Sequence, residues 1–178
     1  MRDLRFIITA AILLSPSVLR AADPFLGKWG LDVKRSKYPV GACPKEMTIE
    51  MDKAGDRVHY HSETRLTNGS SSSADYIADY DGKPVIVIGA RGMLLPVSLR
   101  RTAPNVVIAT YTSGFQTVAT SRRVISADGV VMTITTTSRD GAGKAVTHVG
   151  VYQRAKSAVT SGFDLSKVKG DLLPARSP

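Results

Sequence analysis

The chain has 178 residues, of which 43% are hydrophobic and 24 are Lys or Arg against 15 Asp or Glu, and it holds a single cysteine. That length fits one domain with one core, and one cysteine excludes an internal disulfide, so packing and the sheet ladder must hold the fold. The net charge of +9 favours acidic ligands or anionic surfaces. Because the basic residues are spread along the chain and form no continuous run, no nucleic-acid partner is expected.

The first 21 residues read as a secretory signal peptide. Arg2 and Arg5 flank Asp3, Phe6 to Leu14 is apolar except for Thr9, Pro16 and Ser17 break the run, and Ala21-Ala22 supply small residues. Cleavage is placed after Ala21, since cleavage after Ala22 would put Arg20 three positions before the cut. The run is short for a membrane span, and no cysteine stands at the cut to take a lipid anchor. The mature chain is therefore expected to be periplasmic or secreted, with no membrane span. It keeps 21 basic residues against 14 acidic ones, a net +7, so its basicity does not come from the leader.

From Lys28 onward the pattern has a period of two, punctuated by Gly, Asp and Asn. Trp29, Leu31 and Val33 share one face of a first strand. Met47, Ile49 and Met51 share a face of the next, and Val58, Tyr60 and Ser62 share one beyond the turn at Lys53-Ala54-Gly55-Asp56. After Asn68-Gly69 and the serine run Ser70 to Ser73, Ala74, Tyr76, Ala78 and Tyr80 alternate with Asp75 and Asp79. Asp81-Gly82 reads as a turn into Val85-Ile86-Val87-Ile88, a run apolar on both faces and so expected to be buried. Pro96 weakens the strand Met93 to Arg101, which implies an edge or a bulge. Val106 to Thr112, Phe115 to Ser126, Met132 to Ser138 and Ala145 to Arg154 complete the series, with β-branched Thr133 to Thr137 favouring strand over helix.

About ten strands joined by short turns must pair as antiparallel neighbours. An up-and-down sheet of that size avoids two long exposed edges by closing on itself. The expected fold is all-β, a single antiparallel up-and-down barrel of about 8–10 strands over residues 22–154. Residues 155–178 are an appendage in which Phe163, Leu165 and Val168 could pack on the barrel.

The stretch Asp23-Pro24-Phe25-Leu26-Gly27-Lys28-Trp29 resembles the opening motif of the lipocalin and fatty-acid-binding protein superfamily, in which Gly-x-Trp begins the first strand. The chain also resembles bacterial exported lipocalin-like proteins in Arg35-Ser36-Lys37-Tyr38 and in Arg122-Arg123-Val124-Ile125-Ser126-Ala127-Asp128-Gly129 before Met132-Thr133. The likeness covers most of residues 23–154. It implies a lipocalin-like barrel in which Gly27 and Trp29 close one end and the basic side chain of Arg154, at the end of the last strand, lies across the indole. Fatty-acid-binding proteins hold a carboxylate with an inward Arg-x-Tyr on that strand, where this chain reads Gly150-Val151-Tyr152. The tyrosine is present and the arginine is not.

If Tyr152 faces inward, a period of two sends His148 inward as well, and the pair would form the polar end of an apolar cavity. Arg100-Arg101 and Arg122-Arg123 are further candidates, because one of each adjacent pair points into a barrel. An inward arginine needs a carboxylate or a ligand anion as partner, which makes Arg101 and Arg123 candidate ligand residues. His59 and His61 share a face with Arg57 and Arg65, which would repel a metal ion, so no metal site is expected there. No nucleophile elbow, His-Glu-x-x-His or paired-cysteine motif occurs, and neither a catalytic role nor a cofactor is expected.

The sequence therefore favours an exported, non-enzymatic barrel that takes a small hydrophobic or amphipathic ligand. The alternative is a periplasmic module that docks an acidic partner or envelope polymer through its basic surface. An outer-membrane barrel is disfavoured by an aromatic content of only 6%. A monomer is expected, although Cys43 could permit a disulfide-linked dimer.

Overall fold

The computed structural model describes residues 22–90 and 92–155. The leader and the C-terminal appendage lie outside the described residues. Those described form twelve antiparallel strands and no helix: β1 (Gly27–Leu31), β2 (Glu46–Ala54), β3 (Arg57–Arg65), β4 (Ser71–Ala78), β5 (Asp81–Val85), β6 (Ile88–Gly89), β7 (Gly92–Met93), β8 (Val97–Ala103), β9 (Val106–Ser113), β10 (Gln116–Ile125), β11 (Val131–Arg139) and β12 (Ala145–Arg154). One sheet contains them all, in the order β5-β8-β9-β10-β11-β12-β1-β2-β3-β4-β6-β7.

The first and last strands meet. Trp29 pairs with Arg154 on one side and with Ile49 on the other, so β1 bridges β12 and β2 and curls the sheet into a barrel. The all-β antiparallel barrel read from the periodicity is therefore the observed fold. Alternation predicts its inner faces: Ile49 and Met51 on β2, Val58, Tyr60 and Ser62 on β3, and Tyr76 and Ala78 on β4 are all buried.

The ladder does not run all the way round. The sheet ends at β5 and β7, which leaves a seam between β5 and the β4-β6-β7 side. Residues 79–97 explain it. Pro84 deprives β5 of a donor, as suits a terminal strand, and Pro96 interrupts the strand expected from Met93 to Arg101, leaving two-residue β7 and a separate β8. The run Val85 to Ile88 is no buried strand. Val87 is buried, but Ile86 and Ile88 point to solvent. A run that is apolar on both faces fixes only that a strand is possible, and here no layer among the described residues covers the second face.

One end of the barrel is filled. Phe25, Trp29, Met51, Leu99, Ile125 and Met132 are each at most 2% exposed, and Trp29 Nε1 donates to the Phe25 carbonyl at 3.0 Å. The guanidinium of Arg154 lies 4.1 Å from the Trp29 ring and donates to three backbone carbonyls, those of Gly129, Leu26 and Pro24, at 2.7, 2.5 and 2.6 Å. Gly27 is required beside it. Its φ is 116°, and a Cβ there would sit 2.8 Å from Arg154 Nη1.

Candidate ligand-binding site

Strands β10, β11 and β12 build the inner wall as three successive cross-strand rows. Ile125, Met132 and Tyr152 lie side by side nearest the filled end; Arg123, Ile134 and Gly150 come next; Ser121, Thr136 and His148 lie nearest the mouth. Going from the filled end outward, the rows change from apolar to cationic to hydroxyl and imidazole. Ser121 and Thr136 hydrogen-bond to each other at 2.6 Å.

The rows face a cavity of about 490 Å³, whose wall also includes Met47, Tyr60, Tyr111, Val146 and Tyr38. A second chamber of about 520 Å³, lined by Leu66, Ala74, Gly89, Ala90 and Leu94, shares Met47, Tyr60 and Tyr111 with the first. Those three side chains form a waist between two parts of one interior. Other depressions are on the outside: one between β2, β3 and β4 lined by Glu46, Glu63 and Arg65, another by Asp23, Lys53, Asp56 and Arg57. Their charges are mixed and solvated, whereas the interior holds a buried cation.

That cation is Arg123, which is only 3% exposed. Its Nη2 donates to Tyr76 Oη at 3.0 Å and, less closely, to Tyr111 Oη at 3.4 Å, and its guanidinium lies 4.9 Å from the Tyr60 ring. Tyr60 and Tyr76 stack with centroids 4.7 Å apart. Burial first, only partly offset by the neighbouring Arg123, pushes both phenols above their ordinary range, so they are neutral donors and acceptors. Arg123 Nε is buried with no partner, and no carboxylate forms a salt bridge with Arg123 among the described residues. An arginine keeps its proton at any physiological pH. The cavity therefore contains a positive charge without a counter-ion and with one N–H unsatisfied.

Arg101, the other inward arginine, is placed differently. It pairs with Asp23, donates from Nη1 to the Pro104 carbonyl at 2.8 Å, and lies 4.0 Å from the Tyr80 ring. It does not line the cavity. Arg100 and Arg122 are exposed on the outer face.

His148 and Tyr152 both line the cavity with Arg123, so three of the four proposed ligand residues come together. Burial lowers the His148 pKa, which leaves the imidazole neutral at pH 7. Its ring stacks on Tyr38 at 5.0 Å. Tyr38 is carried by a strap that follows β1 and is tied to β12 by two backbone hydrogen bonds between Lys37 and Val149, at 2.8 and 2.7 Å. Gly150 makes this possible: a Cβ there would lie 2.7 Å from the Tyr152 ring and 3.0 Å from Tyr38 Oη. Where an Arg-x-Tyr pattern would place an arginine, this chain has a gap filled by two tyrosines, and the charge comes from β10 instead.

The sequence marked Tyr38 only through the resemblance at Arg35-Ser36-Lys37-Tyr38, because a Pro-containing loop with no periodicity does not say where a side chain faces. It assigned Tyr60 and Tyr76 to the inner face but could not pair them with Arg123. His59 Nε2 and His61 Nδ1 lie on the outer face, 3.0 and 3.1 Å from Asp75 Oδ2. Among the described residues no three His, Cys, Asp or Glu side chains are placed to hold a metal ion.

Known proteins bear on this geometry through fold. The zebrafish ileal bile-acid-binding protein, solved with cholic acid, superposes with a TM-score of 0.50 at 14% identity, over 74% of this chain and 99% of its own. The Schistosoma mansoni fatty-acid-binding protein, solved with arachidonic acid, gives 0.52 at 19% identity, over 75% and 97%. This chain has their fold. No family model and no curated protein matches the sequence. At these identities the likeness is one of fold alone, and leaves the binding chemistry to this chain's own side chains.

Proposed function

We propose that this protein is an exported, non-enzymatic barrel that binds a small amphipathic anion, with the anionic group at Arg123 and the apolar part along Met47, Ile134 and Val146. The observation that carries the reading is the buried guanidinium with no carboxylate partner and an unsatisfied Nε. Burying a lone charge is costly, and a ligand carboxylate, sulfonate or phosphate would supply the missing counter-ion through charge-assisted hydrogen bonds. His148 and Tyr152 add polar contacts at the same wall. The structural neighbours support the class, since their names record a bile acid and a fatty acid as ligands. The leader-like start supports export to the periplasm or beyond.

The test is displacement of a fluorescent anionic probe, 8-anilinonaphthalene-1-sulfonate, by matched pairs of amphipathic carboxylates and their methyl esters. The carboxylates should compete at least about tenfold better, because a hydrogen bond to a charged group is worth about 1.5–3 kcal/mol. Equal competition within every pair would remove the anion from the proposal.

A further inference from the structure

The flap beside the seam carries an apolar surface with a direction. Asp75 faces outward, since its carboxylate meets His59 and His61 while neighbouring Tyr76 is buried. Ile88 pairs with Asp75 and Met93 with Ile88, and directly opposed residues project to the same face of a sheet. Ile77, two positions beyond Asp75, joins that face. Ile88 is 51% and Met93 74% exposed, and Ile86 and Leu95 extend the stripe at 61% and 44%. Single exposed aliphatics are ordinary, but five on one small flap are a patch.

We propose that this outer face of β6-β7, with Ile77, docks the protein on the surface of an anionic lipid bilayer. Three observations select that occupant over another copy of the chain. The five side chains expose roughly 500 Å² between them, short of the ~800 Å² per partner that a stable dimer buries. The free edge strand β7 has two residues, too few for a useful added-strand ladder. The net charge of +7 that the chain keeps after the leader complements anionic headgroups, which strengthen the interfacial binding of an apolar surface. The flap also walls the interior: Gly89, Ala90 and Leu94 line the second chamber, so a bilayer on its outer face would lie beside that chamber.

Flotation of the full chain with vesicles of phosphatidylglycerol and phosphatidylcholine tests this. The leader is common to the wild type and the double variant Ile88→Asp/Met93→Asp, so any difference belongs to the flap. The double variant should float at least tenfold less while keeping its thermal melt and its binding of the anionic probe in solution. A second variant, Met93→Trp, places an indole on the flap against a background whose single tryptophan, Trp29, is fully buried. Its emission should shift to the blue with vesicles. Flotation unchanged by the double substitution, an unshifted Met93→Trp emission, or a wild-type dimer that the double variant dissolves would each overturn the proposal. Wild-type protein that binds the probe yet does not float with the vesicles would overturn the docking and leave the anion reading standing, so the two fail separately.

Discussion

Arg101 and Arg123 lie on β8 and β10 of the same barrel, point inward and each sit over an aromatic ring, yet one is fully accounted for and the other is not. Arg101 has a carboxylate, a backbone carbonyl and Tyr80. Arg123 has phenol oxygens, no carboxylate and an orphaned Nε. The contrast follows the two ends of the barrel. At the filled end every polar group on Trp29 and Arg154 has a partner from the chain itself, whereas at the cavity end the partners run out. A cation that the chain leaves unmatched in the interior costs stability, which the proposed ligand anion would return.

The largest effect is expected where the chain completes itself. Trp29→Ala removes a fully buried indole from beneath Arg154, and substitutions of that kind cost about 3–5 kcal/mol. A melting temperature unchanged by the substitution would show that the filled end is not what closes the barrel.

The comparison sharpens when both arginines are made apolar. Arg101→Leu strands the Asp23 carboxylate and should destabilise by about 1–3 kcal/mol, since the pair is only partly screened by solvent. Arg123→Met removes an uncompensated charge but leaves two phenols short of a donor, so its stability should stay within about 1 kcal/mol of wild type. The same Arg123→Met should weaken binding of the anionic probe about 10–100-fold, while Arg101→Leu should leave it within about twofold. Urea midpoints and probe titrations measure both. Equal destabilisation by the two variants, with equal loss of binding, would erase the distinction between a structural and a ligand-facing arginine.

What could be read in the sequence was set by period-two alternation, which is local. It put Ile49 with Met51, Tyr60 with Ser62, and His148 with Gly150 and Tyr152 on common faces, and it required the first and last strands to meet. Contacts that depend on register around the barrel were beyond it: Asp23 reaches Arg101 across 78 positions, and Arg123 reaches Tyr76 across 47. The choice between the paired arginine and the unpaired one therefore could not be made before the strands were in place. The seam was illegible for another reason. Val85 to Ile88 has the composition of a core strand, yet no layer among the described residues covers Ile86 and Ile88.

The smallest effect separates the cavity from the outer face through pH. Burial lowers the His148 pKa below its unfolded value near 6.5, so between those two values the unfolded chain binds more protons than the folded one. Stability should therefore fall as pH drops from 7.5 to 5, and His148→Gln should flatten that slope. Asp75 acts in a different window. Slight burial raises its pKa, but hydrogen bonds from His59 and His61 outweigh that and hold it below its ordinary value. Its stabilising contribution is therefore complete above about pH 4 and is lost only as pH falls through the lower folded value. Urea midpoints at pH 7.5, 6.25 and 5 for wild type and His148→Gln isolate the cavity imidazole. Parallel slopes for the two proteins would mean that His148 is solvated in the folded state, and that the mouth beneath Tyr38 is open wide enough to hydrate it.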